Sequence, residues 1–324
     1  MYENLTEFIE RHDLFIITTH DPADADGLGA EIVFSRILAA RGKQWRIINA
    51  SPVPDNLRFL NAGGIVEQWN NEKHDALPEQ AALFMLDTTD LHNIGAMREA
   101  ACRTREIFVV DHHEQKLSAA LLGICDSAAA SASEMAVELA EFTGAALDLP
   151  AALAAYVGIV YDTGFFAYSK TGPRTFRTAL ALIEAGVMPN EVYTRLRENS
   201  STAALLLQRK ALSSLRLHYN GRVASQVIYL SDFTETGALP EDTDGLVNIP
   251  LKSKDVRVSI LVKEAQDGKV RCSMRSKGAI NVSKITQDLG GGGHVNAAAF
   301  KTDLPVNKTL EITLARLAEQ IDKP

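Results

Sequence analysis

A chain of 324 residues, 46% hydrophobic and 23% charged, has the composition of an ordinary soluble globular protein, and its length predicts two domains. Its net charge of −8 argues against a protein that coats long nucleic acid electrostatically, and no apolar run approaches the roughly 20 residues of a membrane-spanning helix. The start Met1-Tyr2-Glu3-Asn4 is unlike a secretory signal, and Cys102, Cys125 and Cys272, without C-x-x-C spacing, read as packing residues of a protein in a reducing cytoplasm.

The first half alternates strand-like and helical segments. A strand over 14–18 is followed by a helix over 28–41 and a strand over 45–48. A strand over 82–86, a helical stretch over 94–101 and a strand over 107–110 repeat the pattern. Strands separated by helices predict parallel βαβ units with right-handed crossovers. The segment 131–142 has the period of an amphipathic helix, and 151–161 is apolar almost throughout, which predicts a buried helix. A further helix over 173–185 stops at Gly186. Residues 191–217 read as one or two Leu- and Arg-rich helices that connect to the remainder. After the turn signal Asn220-Gly221 the pattern changes to strand-like alternation over 222–229, 256–262 and 269–274, and 308–320 closes the chain as a helix. The expected division is 1–190, a connector over 191–219, and 220–324.

Acids and histidines stand just beyond several of these apolar runs. They are His20, Asp24 and Asp26 in an H-x3-D-x-D pattern, then Asp87, the triplet Asp111-His112-His113, and Asp162. Ligands of an open parallel sheet gather at the carboxyl ends of its strands, so these positions predict one polynuclear metal site rather than a set of helix N-caps. Oxygen and imidazole donors without cysteine suit hard or borderline ions such as Mn²⁺ or Mg²⁺. Four aspartates balance two divalent cations, whereas one would leave excess like charge in the site. Two such ions about 4 Å apart form the standard clamp for phosphoryl chemistry.

The order H-x3-D-x-D, D, DHH, D, followed by Gly290-Gly291-Gly292-Gly293-His294, closely resembles DHH-superfamily phosphoesterases that carry the type 1 DHH-associated domain. Length and layout resemble the NrnA-type nanoRNases, which hydrolyse short oligoribonucleotides and 3′-phosphoadenosine-5′-phosphate, and the likeness spans nearly the whole chain. It implies an α/β fold: an N-terminal parallel-sheet domain with helices on both faces, a smaller C-terminal α/β domain, and an active site in the cleft between them. It also implies two divalent cations, Mn²⁺ with Mg²⁺ or Co²⁺ as substitutes. His20 and Asp24 would hold one ion, Asp26, His112 and Asp162 the other, with Asp87 bridging. Asp111 would orient His112, and His113 would face the scissile phosphate. Arg275 and Ser276, the amides of Gly291, Gly292 and Gly293, and His294 would bind substrate. Asp90 and His92 read as a solvated loop face.

The run Asp26-Gly27-Leu28-Gly29-Ala30 departs from the D-A-x-G-S common among relatives. Its glycines still permit a tight strand-to-helix turn, while Ala30 lacks a hydroxyl that could contact substrate. Between 252 and 284 nine basic residues face three acids, a local excess that can funnel a short strand toward the metals. The expected partner is a short oligonucleotide or nucleotide, with no membrane and no long nucleic acid; a homodimer is compatible. The rival readings are a cyclic- or linear-dinucleotide phosphodiesterase, a RecJ-type long-strand exonuclease, a type II pyrophosphatase, and a non-enzymatic nucleotide sensor.

Overall fold

Six runs of the first half pair into one sheet in the computed structural model, which describes residues 2–114, 117–119 and 121–321. They are β1 (Leu14–Thr19), β2 (Gln44–Asn49), β3 (Val66–Gln68), β4 (Ala82–Leu86), β5 (Ile107–Asp111) and β6 (Leu122–Cys125). All pairs are parallel, in the order β3-β2-β1-β4-β5-β6. The chain builds outward from β1 to β3, then returns to lay β4 on the other side of β1. That reversal opens a crevice at the carboxyl ends of β1 and β4, where a doubly wound sheet takes its ligands. His20 follows β1 and Asp87 follows β4.

The helices of this unit are α1 (Glu3–Arg11), α2 (Ala25–Ala40), α3 (Asn71–His74), α4 (Met97–Ala101), α5 (Ala132–Thr143), α6 (Leu149–Asp162), α7 (Pro173–Glu184) and α8 (Pro189–Arg197). β1 is buried on both faces, as a central parallel strand must be. Phe15 and Ile17 face a core shared with α1, α2, α5 and α6, while Ile16 faces a smaller one with Met97 and Ala100 of α4. Gly27 and Gly29 lie inside α2 rather than in a turn, so the reason expected for them changes. A Cβ on Gly27 would sit 2.2 Å from Thr19 Oγ1, and one on Gly29 would sit 2.6 Å from the Ala154 carbonyl. They allow α2 to press onto β1 and α6. Ala30 is wholly buried in the larger core, remote from any substrate role.

By internal contacts the chain divides into Met1–Glu198 and Asn199–Pro324. The second unit is built on β7 (Arg216–His218), β8 (Val223–Ile228), β9 (Val258–Glu264), β10 (Val270–Ser276), β11 (Gly292–His294) and β12 (Ala297–Thr302), with α9 (Thr202–Ser213), α10 (Leu230–Thr236), α11 (Val282–Gln287) and α12 (Val306–Ile321). The order is β11-β12-β10-β9-β8-β7, antiparallel except for β8 with β9. Alternation is strict in β10. Val270, Cys272, Met274 and Ser276 are buried, and all but Ser276 join the main core with Leu317 and Ile321 of α12. Arg271, Ser273 and Arg275 point to the opposite face. On that face Leu207 and Ala211 of α9 and Phe233 of α10 pack over Ile228 and Leu261.

Candidate metal centre

β1 delivers His20 to the crevice, where its Nε2 lies 3.5 Å from Asp24 Oδ1 and 3.4 Å from Asp87 Oδ2. Asp24 is also the N-cap of α2: its Oδ1 accepts from the amides of Asp26 and Gly27 at 2.9 and 3.1 Å. Capping and ligation were alternative readings of this residue, and the geometry accommodates both. Asp26, in the first turn of α2, is fully buried and accepts from Ala132 N at 2.6 Å and Ser133 N at 2.8 Å. The N-terminus of α5 thus fixes its carboxylate and supplies a favourable dipole.

Asp87 leaves β4 in the left-handed region at φ 60, a conformation that costs energy in a non-glycine residue and marks functional sites. Its Oδ1 lies 3.3 Å from His112 Nε2 without hydrogen-bond alignment, so this buried atom has no hydrogen-bond partner among the described residues. His112 Nε2 is also 3.4 Å from Asp162 Oδ2 and 3.7 Å from Asp26 Oδ2. Three overlapping sets result: His20–Asp24–Asp87, Asp87–His112–His113 and Asp26–His112–Asp162, each with candidate donor atoms within 4.8 Å of one another. His20, Asp24, Asp87, His113 and Asp162 of these sets border a cavity of about 340 Å³ that Thr88 and Asn93 also line. Asp162 arrives from the last residue of α6. The buried helix expected over 151–161 thus brings its end, rather than a strand end, to the same crevice.

The electrostatics are those of a site built around positive charge. Burial works against charge on His20, yet Asp24 and Asp87 hold its pKa up at about 10. His112 is likewise held at about 9 against burial by Asp87, Asp26 and Asp162. Burial, with Asp87 alongside, pushes the Asp26 carboxyl well above its ordinary range. Burial also raises Asp162, His112 opposing. Asp24 stays below the ordinary carboxylate range despite burial, through His20 and its two backbone donors. The donor set fits divalent cations: oxygen and imidazole atoms converge, no cysteine joins the three sets, and Asp87 Oδ1 lacks a hydrogen-bond donor.

Asp111 does not orient His112. Its Oδ1 accepts from Nδ1 of His113 at 2.7 Å, whereas His112 Nδ1 is buried with no partner among the described residues. Asp90 and His92 form a local exposed pair at 2.7 Å, as a solvated loop face would. Sequence reasoning missed a buried support beneath the site. Asn49, at the end of β2, accepts from Thr18 Oγ1 at 3.1 Å and Thr19 N at 3.3 Å, and donates to Glu31 Oε2 at 3.0 Å. Thr19 Oγ1 in turn donates to Leu86 O at 2.9 Å, tying the strand ends before His20 and Asp87. The strand-end logic that found His20 applies equally to Asn49. Lys170, which donates to His112 O at 3.1 Å, left no local signal.

Two family models divide the chain along these lines. "DHH family, N-terminal domain" matches residues 14–159 and "DHHA1 domain" matches residues 220–322. The chain therefore carries a DHH-family N-terminal domain followed by a DHHA1 domain. It is 27% identical to the bifunctional oligoribonuclease and PAP phosphatase NrnA of Thermus thermophilus, over 95% of this chain and 90% of that protein. It is 29% identical to the cyclic-di-AMP phosphodiesterase GdpP of Geobacillus thermodenitrificans, over 94% of this chain but 47% of the relative. A crystal structure of an exopolyphosphatase-related protein from Bacteroides fragilis superposes with a TM-score of 0.88 at 22% identity, covering 99% of this chain and 97% of that one, which shows the shared fold.

The DHHA1 domain places the remaining candidates unevenly. Arg275 is half-buried, on the face of β10 away from the main core. Ser276 is on the opposite face, where its hydroxyl donates to Ile280 O at 2.6 Å and accepts from Asn296 Nδ2 at 2.9 Å. It closes a loop and is not available to substrate. Gly292, Gly293 and His294 form an edge strand on β12 rather than an open loop. The amides of Gly290 and Gly291 are committed to Gln287 O and Thr286 O, so Gly291 is not a free anion donor. Its lack of Cβ serves packing instead, since a Cβ would lie 2.2 Å from Ala299 O. Nothing lies within 4 Å of a Cβ built on Gly292, and His294 is exposed.

Proposed function

We propose that this DHH protein is a metal-dependent phosphoesterase that hydrolyses short oligoribonucleotides and 3′-phosphoadenosine-5′-phosphate. The observation that carries the reading is the double-facing carboxylate of Asp87, with one oxygen 3.4 Å from His20 Nε2 and the other 3.3 Å from His112 Nε2. We assign His20 and Asp24 to one cation, Asp26, His112 and Asp162 to a second, and Asp87 to both. Two divalent cations, Mn²⁺ or in its place Mg²⁺ or Co²⁺, would supply Lewis acidity and lower the pKa of an attacking water. The charges of Asp24, Asp26, Asp87 and Asp162 balance such a pair.

His113, half-exposed at the cavity and oriented by Asp111, donates a hydrogen bond to the scissile phosphate or a proton to the leaving oxygen. Arg275 suits bidentate contact with a non-scissile phosphate, and His294 a terminal phosphate or ribose. The match to the Thermus oligoribonuclease over most of both lengths supports this substrate class above cyclic dinucleotides. The chain contains no helix long and apolar enough to cross a membrane among the described residues. Its three cysteines are free, which fits a reducing compartment, and we place it in the cytoplasm.

The test is release of mononucleotide from a diribonucleotide, and of phosphate from the bisphosphate, in Mn²⁺ and in EDTA. Metal-dependent turnover that Asp87→Asn abolishes is expected. A wild-type protein that turns over neither substrate, or turns over cyclic dinucleotides alone, contradicts the reading.

A further inference from the structure

Three cations lie directly opposite one another across three adjacent strands of the DHHA1 domain. The register pairs Arg271 of β10 with Lys263 of β9 on one side and with Lys301 of β12 on the other. Like charges placed directly opposite in a sheet are destabilising, so the row requires an explanation. The carboxylates nearby do not supply one in full. Asp267 reaches Lys301 at 3.6 Å but also caps the turn at Lys269 N. Glu264 accepts from the Leu230 amide at 2.9 Å. Lys263 donates to Thr243 Oγ1 and Pro240 O, both uncharged. Among the described residues no carboxylate pairs with Arg271. Burial, with Arg271 alongside, holds the Lys263 ammonium below its ordinary range.

The row borders a cavity of about 620 Å³ whose wall includes Leu230 and Phe233, along with Glu264 and Asp267. It lies on the same face of β10 as Arg275. Between the two cationic positions the face carries Ser273 on β10 and Ala299 on β12, neither fully buried, with the buried Leu261 of β9 beside Ser273. Arg271 and Arg275 are four residues apart on one strand, about 13 Å at the usual rise. A mononucleotide bisphosphate does not bridge that separation, but an extended oligonucleotide does.

We infer that Lys263, Arg271 and Lys301 form a distal phosphate subsite, which takes a backbone phosphate of an oligoribonucleotide beyond the one held at Arg275. A positively charged row bordering an apolar and aromatic wall is the arrangement that holds single-stranded nucleic acid without reading its sequence. The subsite therefore favours oligonucleotides of several residues over the bisphosphate and is indifferent to base. This inference rests on the reading of Arg275 as a substrate contact.

The experiment is steady-state kinetics of the full chain on 3′-phosphoadenosine-5′-phosphate and a pentaribonucleotide, for wild type, Arg271→Gln, Arg271→Gln/Lys301→Gln, Arg271→Lys and Arg275→Ala. The expected result is a pentanucleotide-to-bisphosphate KM ratio that rises roughly 5- to 20-fold in Arg271→Gln, rises further in the double variant, and is largely restored in Arg271→Lys. The salt dependence of the pentanucleotide KM should also weaken in Arg271→Gln, by about one phosphate contact. An unchanged ratio in correctly folded variants, judged by circular dichroism, overturns the subsite. A ratio unchanged in Arg271→Gln while Arg275→Ala raises both KM values sinks the subsite alone. If Arg275→Ala alters neither KM, the reading of Arg275 fails, whatever Arg271 does.

Discussion

Asp111 Oδ1 accepts from both the ring Nδ1 and the backbone N–H of His113, at 2.7 and 3.1 Å. The carboxylate therefore sets the tautomer and the orientation of an imidazole at the cavity, and it holds the pKa of that ring above its ordinary value, against burial. Asp111→Asn removes the charge while leaving a similar shape. Turnover should fall by roughly 10- to 100-fold with bound metal unchanged. If His113 acts as an acid, loss of activity with rising pH should begin at lower pH in the variant. A pH–rate profile with metal analysis checks this, and an unaltered profile would remove His113 from the chemistry.

Four buried or half-buried carboxylates repel one another in the absence of bound cations, so Mn²⁺ should stabilise the fold by mass action. Melting temperatures with and without millimolar Mn²⁺ should differ by several degrees, on the order of 1–3 kcal/mol of linkage. Asp87→Ala should abolish most of the difference. An equal melting temperature in both conditions would argue against a site for cations.

The two domains should fail differently. Asp87→Asn and His112→Ala should lose metal and turnover together, because each removes a donor shared between the overlapping sets. His294→Ala and Arg275→Ala should retain metal and raise KM. Metal content measured by mass spectrometry on purified variants decides; a demetallated His294→Ala protein would contradict the division.

Glu31 offers a pH test on a group that is not itself a proposed ligand. It is fully buried, accepts from Asn49 Nδ2, and burial raises its pKa from 4.5 to about 8. The native state thus keeps a proton that the unfolded chain releases above the ordinary carboxylate range. This contribution to stability is complete below that range and is lost as pH rises through about 8. Glu31→Gln removes the titration and keeps an oxygen for Asn49. The melting temperature of the variant should gain on wild type by several degrees between about pH 5 and pH 9. A difference independent of pH would show that Glu31 does not titrate in this interval.

Much of the first domain was legible because parallel strands buried on both faces must be apolar runs, and their ends collect chemistry. That logic located His20, Asp87 and His112, and it would have located Asn49. Asp162 follows the apolar run over 151–161, which reads as a buried helix, so a helix end rather than a strand end brings it to the crevice. The pairing of Asp111 with His113 rather than His112 depends on side-chain rotation, which neighbours in a triplet do not reveal. In the second domain, β11 and β12 escaped because Gly292–His294 and the alanines of β12 have little strand preference and are held by register against β10. Period-two alternation along β10 puts Ser276 on the face opposite Arg275, so the two cannot serve one substrate face together.

The most direct test of the account is product analysis by chromatography over ribonucleotides of two to several tens of residues in Mn²⁺, with rates normalised per molecule. The expected result is metal-dependent release of mononucleotides, highest for substrates of roughly two to five residues, falling for longer strands, and weakly dependent on salt. Equal or faster processive degradation of the longest strands would contradict it and make the chain a long-strand exonuclease.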